Sequence, residues 1–163
     1  MKGVVIRKIG SAVLSKRPDL LRELPFIVHQ HHTTGKPKHI ADDWSKRLPI
    51  LRRAMEGGNY GLLVAVDSES ENDTIIGFLD YHIIDCFIEN TRICFLQNMR
   101  VWHPWRKKGV GTMLVRELII RAEKAGCKEI HVVAGEGADA FYEKLGFSKK
   151  DTFLEAEVTD FFE

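Results

Sequence analysis

The chain has 163 residues, 44% of them hydrophobic and 29% charged, and this length and composition fit a single globular domain, residues 1–163, with a sizeable core. Its 24 Lys and Arg residues nearly balance 23 Asp and Glu residues, and a formal net charge of +1 argues against binding of nucleic acid through bulk charge. Three scattered cysteines indicate neither a disulfide framework nor a CxxC zinc site, and no apolar run is as long as a membrane span, so we expect a cytoplasmic protein with no membrane partner.

The first part of the chain predicts a strand followed by two helices. Residues 3–9, GVVIRKI, are β-branched and few, as in an opening strand. Residues 14–32 place apolar side chains at helical intervals, and residues 41–58 do so again before ending in a Gly-Gly pair. Pro49 falls inside the second of these helices, where a proline kinks or divides a helix.

The middle of the chain changes to the period of strands. Three segments rich in Val, Ile, Phe and Tyr, separated by turn-type clusters, predict an antiparallel meander: YGLLVAVDS, TIIGFLDYHIIDC and TRICFLQNMRVW. A helix follows from Gly109 to Gly126, then a strand in KEIHVVA, a short helix in GADAFYEKLG, and two closing strands in FSKK and TFLEAEV. The order β-α-α-β-β-β-α-β-α-β-β predicts an α/β fold with an α+β type of mixed sheet.

The turn RKKGVGT joins the last meander strand to the long helix. Such a turn directs several free main-chain amides to one point, where the helix dipole adds partial positive charge. Gly109 and Gly111 let an anion approach the main chain closely, and Thr112 adds a hydroxyl. Three cations precede the glycines: Arg106, Lys107 and Lys108. The composition favours a diphosphate site, although a GxG at a helix start is also common as a simple tight turn.

Neither of the usual nucleotide patterns is complete in this turn. The chain has no Walker GxxxxGK[ST], and no third glycine follows at the spacing of a Rossmann fingerprint.

Two motifs instead resemble those of the GNAT superfamily of N-acetyltransferases. The segment VWHPWRKKGVGTMLV matches the family's [RQ]xxGx[GA] acetyl-CoA signature at Arg106, Gly109 and Gly111. Further along, GADAFYEKLGF matches its AxxxYxxxGF signature at four positions: Ala138, Tyr142, Gly146 and Phe147. The resemblance covers residues 96–147, and the remainder agrees only in the order of elements.

The resemblance implies a GNAT-like fold whose fourth and fifth strands splay apart, with a bulge near Asn98 helping to open the wedge. It implies acetyl-CoA as cosubstrate and no metal. The pantetheine arm would pair with main chain in the wedge, and amides of the glycine turn would cradle the pyrophosphate. The cofactor-binding residues that it indicates are Met99, Arg100, Val101, Arg106, Lys107, Lys108, Gly109, Val110, Gly111, Thr112, Ala138 and Tyr142.

Acetyl transfer from a thioester to an amine requires a neutral amine, a stabilised oxyanion and a proton for the departing thiolate. Tyr142 stands at the family's Tyr position and is the candidate general acid, because a phenol of pKa about 10 can protonate a thiolate whose conjugate acid has a pKa of about 8.5. The alternative is a tyrosine on the buried face of a short helix beside Phe141. The resemblance suggests the amide of Val101 for the oxyanion.

The general base is harder to assign, because Gln97 and Asn98 stand where many relatives carry a glutamate. Asp80 and His82 alternate on one face of the third strand, and either could take a proton directly or through water. The alternative for both is a polar, outward face of a half-buried strand.

Other departures from the family pattern keep a second function open. Gly135 stands where relatives often carry an asparagine, and Pro104 lies one place later than is usual. The first hypothesis is an enzyme that acetylates a primary amine of a small molecule, peptide or protein. The alternative is a catalytically inactive module of the same fold that binds or senses acyl-CoA.

Two further signals concern partners. Phe161 and Phe162 near the end of the chain predict a homodimer, since exposed aromatics favour partner contact. The histidines of residues 29–39 lack carboxylate or cysteine neighbours at a familiar ligand spacing, so we assign no metal to them.

Overall fold

A mixed sheet of five strands forms the centre of the larger part of the chain. The computed structural model describes residues 3–16, 44–70 and 73–150. The chain divides into two units, Met1–Val132 and Val133–Glu163, and the sheet belongs to the first of them.

The strands are arranged in the order of the sequence. Strands β1 to β4 pair antiparallel, and β5 pairs parallel to β4 after a helical crossover. Their bounds are β1 Val4–Ile9, β2 Tyr60–Asp67, β3 Thr74–Cys86, β4 Thr91–Val101 and β5 Glu129–Val132. The predicted meander and the single strand-helix-strand crossover are therefore confirmed, and the fold is α/β with a mixed sheet.

Four α-helices lie within the described residues, three of them in the first unit. They are α1 Ser11–Lys16, α2 Trp44–Glu56, α3 Val110–Lys124 and α4 Asp139–Glu143, and a 3-10 turn, His103–Trp105, precedes α3. Pro49 does not divide α2, which is one helix of 13 residues with the proline inside it.

Glycines in the left-handed region bound the crossover helix α3. Gly109, at φ 84°, is its N-cap, and Gly126, at φ 77°, follows its last turn. The Cys127 N–H donates to Ala122 O and the Gly126 N–H to Glu123 O, both at 2.9 Å, which is the paired bonding that closes a helix at a glycine. Both predicted bounds of this helix are thus correct.

The two faces of the sheet are covered by different helices. Five α3 residues are buried, Val110, Leu114, Val115, Leu118 and Ala122, and Leu114 lies against the Gly77 main chain of β3. On the other face, α1 and α2 side chains such as Val13 and Leu51 pack on buried strand residues including Leu62 and Phe78. Burial of each such aliphatic side chain contributes about 1.5–3 kcal/mol, so both layers hold the sheet in place.

Some predicted elements differ from the structure or lie outside its described residues. No strand forms over FSKK: Phe147–Lys150 have no regular secondary structure, because the Phe147 N–H closes α4 by donating to Tyr142 O at 3.1 Å. The predicted first helix is described only to Lys16, and the strand TFLEAEV lies outside the described residues. The predicted homodimer contact at the C-terminal phenylalanines lies there too. None of the described helices has the length and apolar character needed to cross a membrane.

Gly61 provides a test of the sheet register. It lies opposite Tyr81 in the β2–β3 pair, and a Cβ at this position would overlap the Tyr81 ring. We expect Gly61→Ala to destabilise the fold by about 1–3 kcal/mol, the usual cost of overpacking. Gly10→Ala is the control, because Gly10 has open space around it. Equal urea midpoints for the two variants would contradict this register.

Candidate active site

A bulge in β4 shapes the centre of the sheet. Asp80 of β3 lies opposite Asn98, whereas the next residue, Tyr81, lies opposite Leu96, so Gln97 is an additional residue in β4. A bulge of this kind bends the strand and increases its twist. The expected bulge near Asn98 is therefore confirmed, and it falls one residue beyond Leu96, where the pairing of β4 with β5 ends.

The bulge also changes which main-chain groups of β4 face β3. Before it, Arg92 directs its carbonyl to the β5 side, where it accepts the Lys128 N–H at 2.9 Å. After it, the Trp102 N–H donates to Ile76 O of β3 at 2.8 Å. Because groups alternate along a strand, Met99 and Val101 direct their amides and carbonyls to the β5 side. We call this edge of β4, Gln97–Val101, the wedge edge; the paired residues of β5, Glu129–Val132, do not extend along it.

Two arginine side chains donate hydrogen bonds to main-chain carbonyls of the wedge edge. Arg100 Nη1 donates to Met99 O at 2.8 Å, and Arg106 Nε donates to Val101 O at 3.0 Å. These bonds leave the amide N–H groups of Met99 and Val101 as the donors of this edge. Arg106 therefore ties the glycine turn to the end of β4, a contact that sequence reasoning did not foresee.

The glycine turn presents amides at the start of α3. Met113 is the first residue of the helix whose N–H reaches a main-chain acceptor, Gly109 O at 3.0 Å. The amides of Val110, Gly111 and Thr112 precede it, and a helix leaves such groups without internal acceptors. Lys107 and Gly109 both have positive φ, 58° and 84°, so the turn bends in the left-handed region. Among the described residues, no main-chain acceptor outside the helix takes the N–H groups of Val110, Gly111 and Thr112.

The cations of this turn have different environments. Lys107 and Lys108 are exposed, and Lys108 Nζ lies 5.5 Å from the centre of the Trp105 ring, a cation–π contact. Arg106 is half-buried and bonded to β4. Two exposed charges and one half-buried, hydrogen-bonded charge thus lie beside the helix start.

A polar cluster lies beside the bulge on the α2 side of the sheet; it consists of Tyr60, Asp80, His82, Gln97 and Asn98. The Tyr60 hydroxyl donates to Asp80 Oδ2 at 3.0 Å, and His82 Nε2 lies 2.7 Å from Gln97 Oε1. The Tyr60 and His82 rings meet edge to face with centres 5.1 Å apart. The extra residue of the bulge lets Gln97 and Asn98 both face this cluster.

Asp80 is the buried charged residue of this cluster, with 9% of its surface exposed. Within the described residues, its Oδ1 atom is buried and accepts no hydrogen bond. Burial raises the pKa of the Asp80 carboxyl above its ordinary value, and the polar groups of Asn98 and Tyr60 only partly offset this effect. Burial and the adjacent Asp80 carboxylate also raise the pKa of Tyr60, so its phenol keeps its proton.

The second unit contains the other predicted site residues. Ala138 is the N-cap of α4, and Tyr142 on this helix is 7% exposed. The Tyr142 ring lies edge to face with Phe141 at 5.0 Å and with Phe147 at 5.5 Å. The tyrosine is therefore buried among aromatics, as its structural alternative required, and this burial is compatible with either role.

The structure brings Asp80 and His82 of β3 together beside the wedge edge of β4. The glycine turn follows the end of β4. Sequence reasoning missed Tyr60 and His131. Tyr60 lies opposite His82, His82 opposite Phe95, and Phe95 opposite His131, so the four form one row across β2 to β5. Only strand register could have found them. In the described part of the chain, no three His, Cys, Asp or Glu side chains form a group that could hold a metal ion.

Comparison with known proteins gives one family. The sequence pattern of the acetyltransferase (GNAT) family matches residues 9–147. Among curated proteins, the "Probable N-acetyltransferase san" of Drosophila melanogaster is 32% identical over 88 residues, which are 50% of this chain and 45% of that protein. The match thus spans less than half of the curated relative.

Solved structures share the fold. An aminoglycoside acetyltransferase from an uncultured soil metagenomic sample, in complex with sisomicin, has a TM-score of 0.69 at 16% identity, over 96% of this chain and 97% of that one. A predicted acetyltransferase with acetyl-CoA from Clostridium acetobutylicum has a TM-score of 0.69 at 19% identity, over 96% and 97%. Identities this low show the fold alone.

The buried carboxylate predicts a specific pH dependence of stability. The Asp80 pKa is higher in the folded chain than its ordinary value of 3.8, so burial of the charge destabilises the fold above the folded pKa and has no cost below 3.8. We expect Asp80→Asn to raise the melting temperature by about 2–4 °C at pH 8, with a gain that shrinks as the pH falls towards 3.8. The exposed Glu136→Gln is the control for charge removal. A gain that does not depend on pH would contradict burial of the charge.

Proposed function

The chain belongs to the acetyltransferase (GNAT) family, and we propose that it is an N-acetyltransferase that moves the acetyl group of acetyl-CoA to a primary amine. The proposal assigns the whole chain, residues 1–163, to one catalytic domain. The observation that carries it is that the open edge of β4 continues into the glycine turn before α3. The amides of Met99 and Val101 on the wedge edge lead, through Arg106, to the open amides at the start of α3.

The donor sets of these two places fit the two parts of acetyl-CoA. Main-chain donors of the wedge edge suit the amides of a pantetheine arm, which can pair with a strand edge as an extra strand does. The diphosphate suits the amides from Lys107 to Thr112, because a helix start favours anions and Gly111 leaves the main chain accessible. Lys107 and Lys108 add charge that can follow the phosphates. When bound, acetyl-CoA supplies an activated acyl group.

The residues of the chain then supply the polar groups that transfer requires. The Val101 N–H is the proposed oxyanion donor, and the Arg106 bond to Val101 O holds the following peptide, between Val101 and Trp102. Asp80 and His82 are the proposed route for the proton of the acceptor amine, since they lie in the polar cluster beside the same strand. Tyr142 is the proposed acid for the thiolate, with Ala138 contributing to the cofactor site through α4.

The acceptor is proposed by class. The similar structure solved with sisomicin is that of an aminoglycoside acetyltransferase, and the curated relative is a probable N-acetyltransferase, which supports an amine as acceptor. A buried carboxylate oxygen without a donor among the described residues suits an ammonium that must lose a proton. We therefore expect a primary amine of a small molecule, peptide or protein.

Gly111→Glu tests the diphosphate site. The substitution puts a side chain and a negative charge beside open amides, and we expect it to reduce acetyl-CoA affinity by at least about tenfold, equivalent to 1.4 kcal/mol. Gly111→Gln separates bulk from charge, and Gly10→Glu adds the same charge at an open position elsewhere. Unchanged affinity by calorimetry in a folded Gly111→Glu variant would place the diphosphate elsewhere.

Tyr142→Phe tests the general acid. The ring that packs against Phe141 and Phe147 is retained, so melting temperature and acetyl-CoA affinity should stay close to wild type. Turnover should fall by about 10² to 10⁴, the usual contribution of general acid catalysis. Tyr81→Phe, at another buried tyrosine, is the matched control. Thiol release at saturating acetyl-CoA that stays above half of the wild-type rate would exclude Tyr142 as the acid.

A further inference from the structure

The polar cluster beside the bulge gives the two oxygens of Asp80 different roles. Oδ2 is held by the Tyr60 hydroxyl at 3.0 Å. Oδ1 is buried and receives no hydrogen bond from any described residue. The Tyr60 bond restricts rotation of the carboxylate, so the same oxygen stays without a hydrogen-bond donor among the described residues.

Tyr60 is itself held from several sides. It packs against the core cluster on the α2 side of the sheet, and its ring meets the His82 ring edge to face. Asn59, the residue before Tyr60, accepts the Ile83 N–H through its main-chain carbonyl at 2.7 Å. This bond ties the start of β2 to β3. The phenol therefore approaches Asp80 from a fixed direction.

His82 is oriented by the bulge. Its Nε2 lies 2.7 Å from Gln97 Oε1, and this hydrogen-bonded contact fixes the ring relative to the bulge. The ring is half-buried and lies on the same face of β3 as the buried Asp80. It thus lies where a proton leaving Asp80 can reach water.

We propose that Tyr60 is the positioning residue of the acetyl-transfer site, and that it holds Asp80 through Oδ2 so that Oδ1 accepts the proton of the acceptor ammonium. This inference rests on the proposed function and deepens it. It assigns Asp80 as the general base and places the release of the proton to solvent on the side of His82. Tyr60 touches neither substrate nor reacting atoms in this account and acts through Asp80 alone.

The proton step balances with these groups. One N–H bond of the acceptor ammonium breaks, its electron pair stays on nitrogen as the lone pair that attacks the thioester carbon, and the proton forms an O–H bond with Asp80 Oδ1. The Asp80 carboxyl later gives this proton to solvent on the side of His82, which restores the carboxylate. Tyr60 keeps its own proton throughout.

The surroundings of Asp80 determine how the carboxyl titrates. Among the described residues, the groups acting on it are Tyr60 of β2, His82 of β3 and Asn98 of β4, each of which favours the ionised form, while burial opposes it. Loss of the Tyr60 hydroxyl removes one stabilising donor, so the Asp80 pKa should rise. Since the base must be ionised, the acid limb of the rate profile should move to higher pH by the same amount.

Tyr60→Phe tests the proposal with two readouts. The Asp80 carboxyl carbon is followed by NMR in protein labelled with ¹³C aspartate, its signal assigned with Asp80→Asn, and kcat/KM for the amine is measured across pH. We expect both the NMR pKa and the acid limb to rise by about 1 pH unit, the equivalent of one hydrogen bond to a charged group, with the rate recovering at high pH. Tyr81→Phe should change neither.

A second substitution keeps the test independent of the stability of Tyr60→Phe. A 3-fluorotyrosine at position 60 is a stronger donor and should lower the Asp80 pKa and the acid limb together. An unchanged Asp80 pKa in both variants, or an Asp80 pKa that moves while the acid limb does not, overturns the role of Tyr60. Absence of transfer to any amine by the wild type contradicts the proposed function itself. The NMR titration still reports whether Tyr60 controls the Asp80 pKa, so the two failures can be told apart.

Discussion

The rest of the site depends on one additional residue in β4. Gln97 has no partner of its own in β3, and the hydrogen-bonding sides of β4 are exchanged beyond it. Main-chain amides that would otherwise bond within the sheet are therefore directed to the side where β5 has ended. The same bulge brings Gln97 and Asn98 to the face that carries Asp80 and His82. One local irregularity thus produces both an open strand edge and the polar cluster beside it.

This arrangement costs stability that the core must offset. A buried carboxylate with an unbonded oxygen opposes folding, and β-bulges interrupt the ladder. The sheet tolerates both because its two faces are covered, by α3 on one side and by α1 and α2 on the other. Leu79, fully buried, precedes Asp80 in the strand, and Leu96, also fully buried, precedes Gln97. The polar cluster therefore stands on rigid strands, which favours a fixed geometry for proton transfer.

Local patterns in the sequence predicted much of the fold. The apolar spacing of α3, its flanking glycines and the β-branched meander are signals carried by neighbouring residues, and each has a direct physical cause. The predicted strand over FSKK was wrong, because the residues of this segment do not show that the Phe147 N–H is already used to close α4. The glycine turn was found through its residue types, whereas the bond from Arg106 to Val101 O depends on a side-chain conformation.

The polar cluster shows where sequence reasoning ends. Asp80 and His82 were recognisable because they share a strand face at a spacing of two residues. Tyr60 precedes them by a whole strand, and only the pairing of β2 with β3 places its hydroxyl on Asp80. His131 joins the same row through a parallel strand after a crossover helix. Contacts of this kind depend on the register between strands, which cannot be read from the residues of one strand alone.

The central claim is that this chain transfers acetyl groups from acetyl-CoA to amines, and labelled transfer tests it most directly. The protein is incubated with acetyl-CoA carrying ¹³C in the acetyl carbonyl and with a panel of polyamines, aminoglycosides, amino acids and amino-terminal peptides, and the carbonyl signal is followed by NMR. We predict that the thioester signal is replaced by an amide signal with at least one acceptor, with matching release of free thiol. Acetyl-CoA that binds tightly while its thioester persists with every amine would contradict the account and indicate an acyl-CoA-sensing module instead.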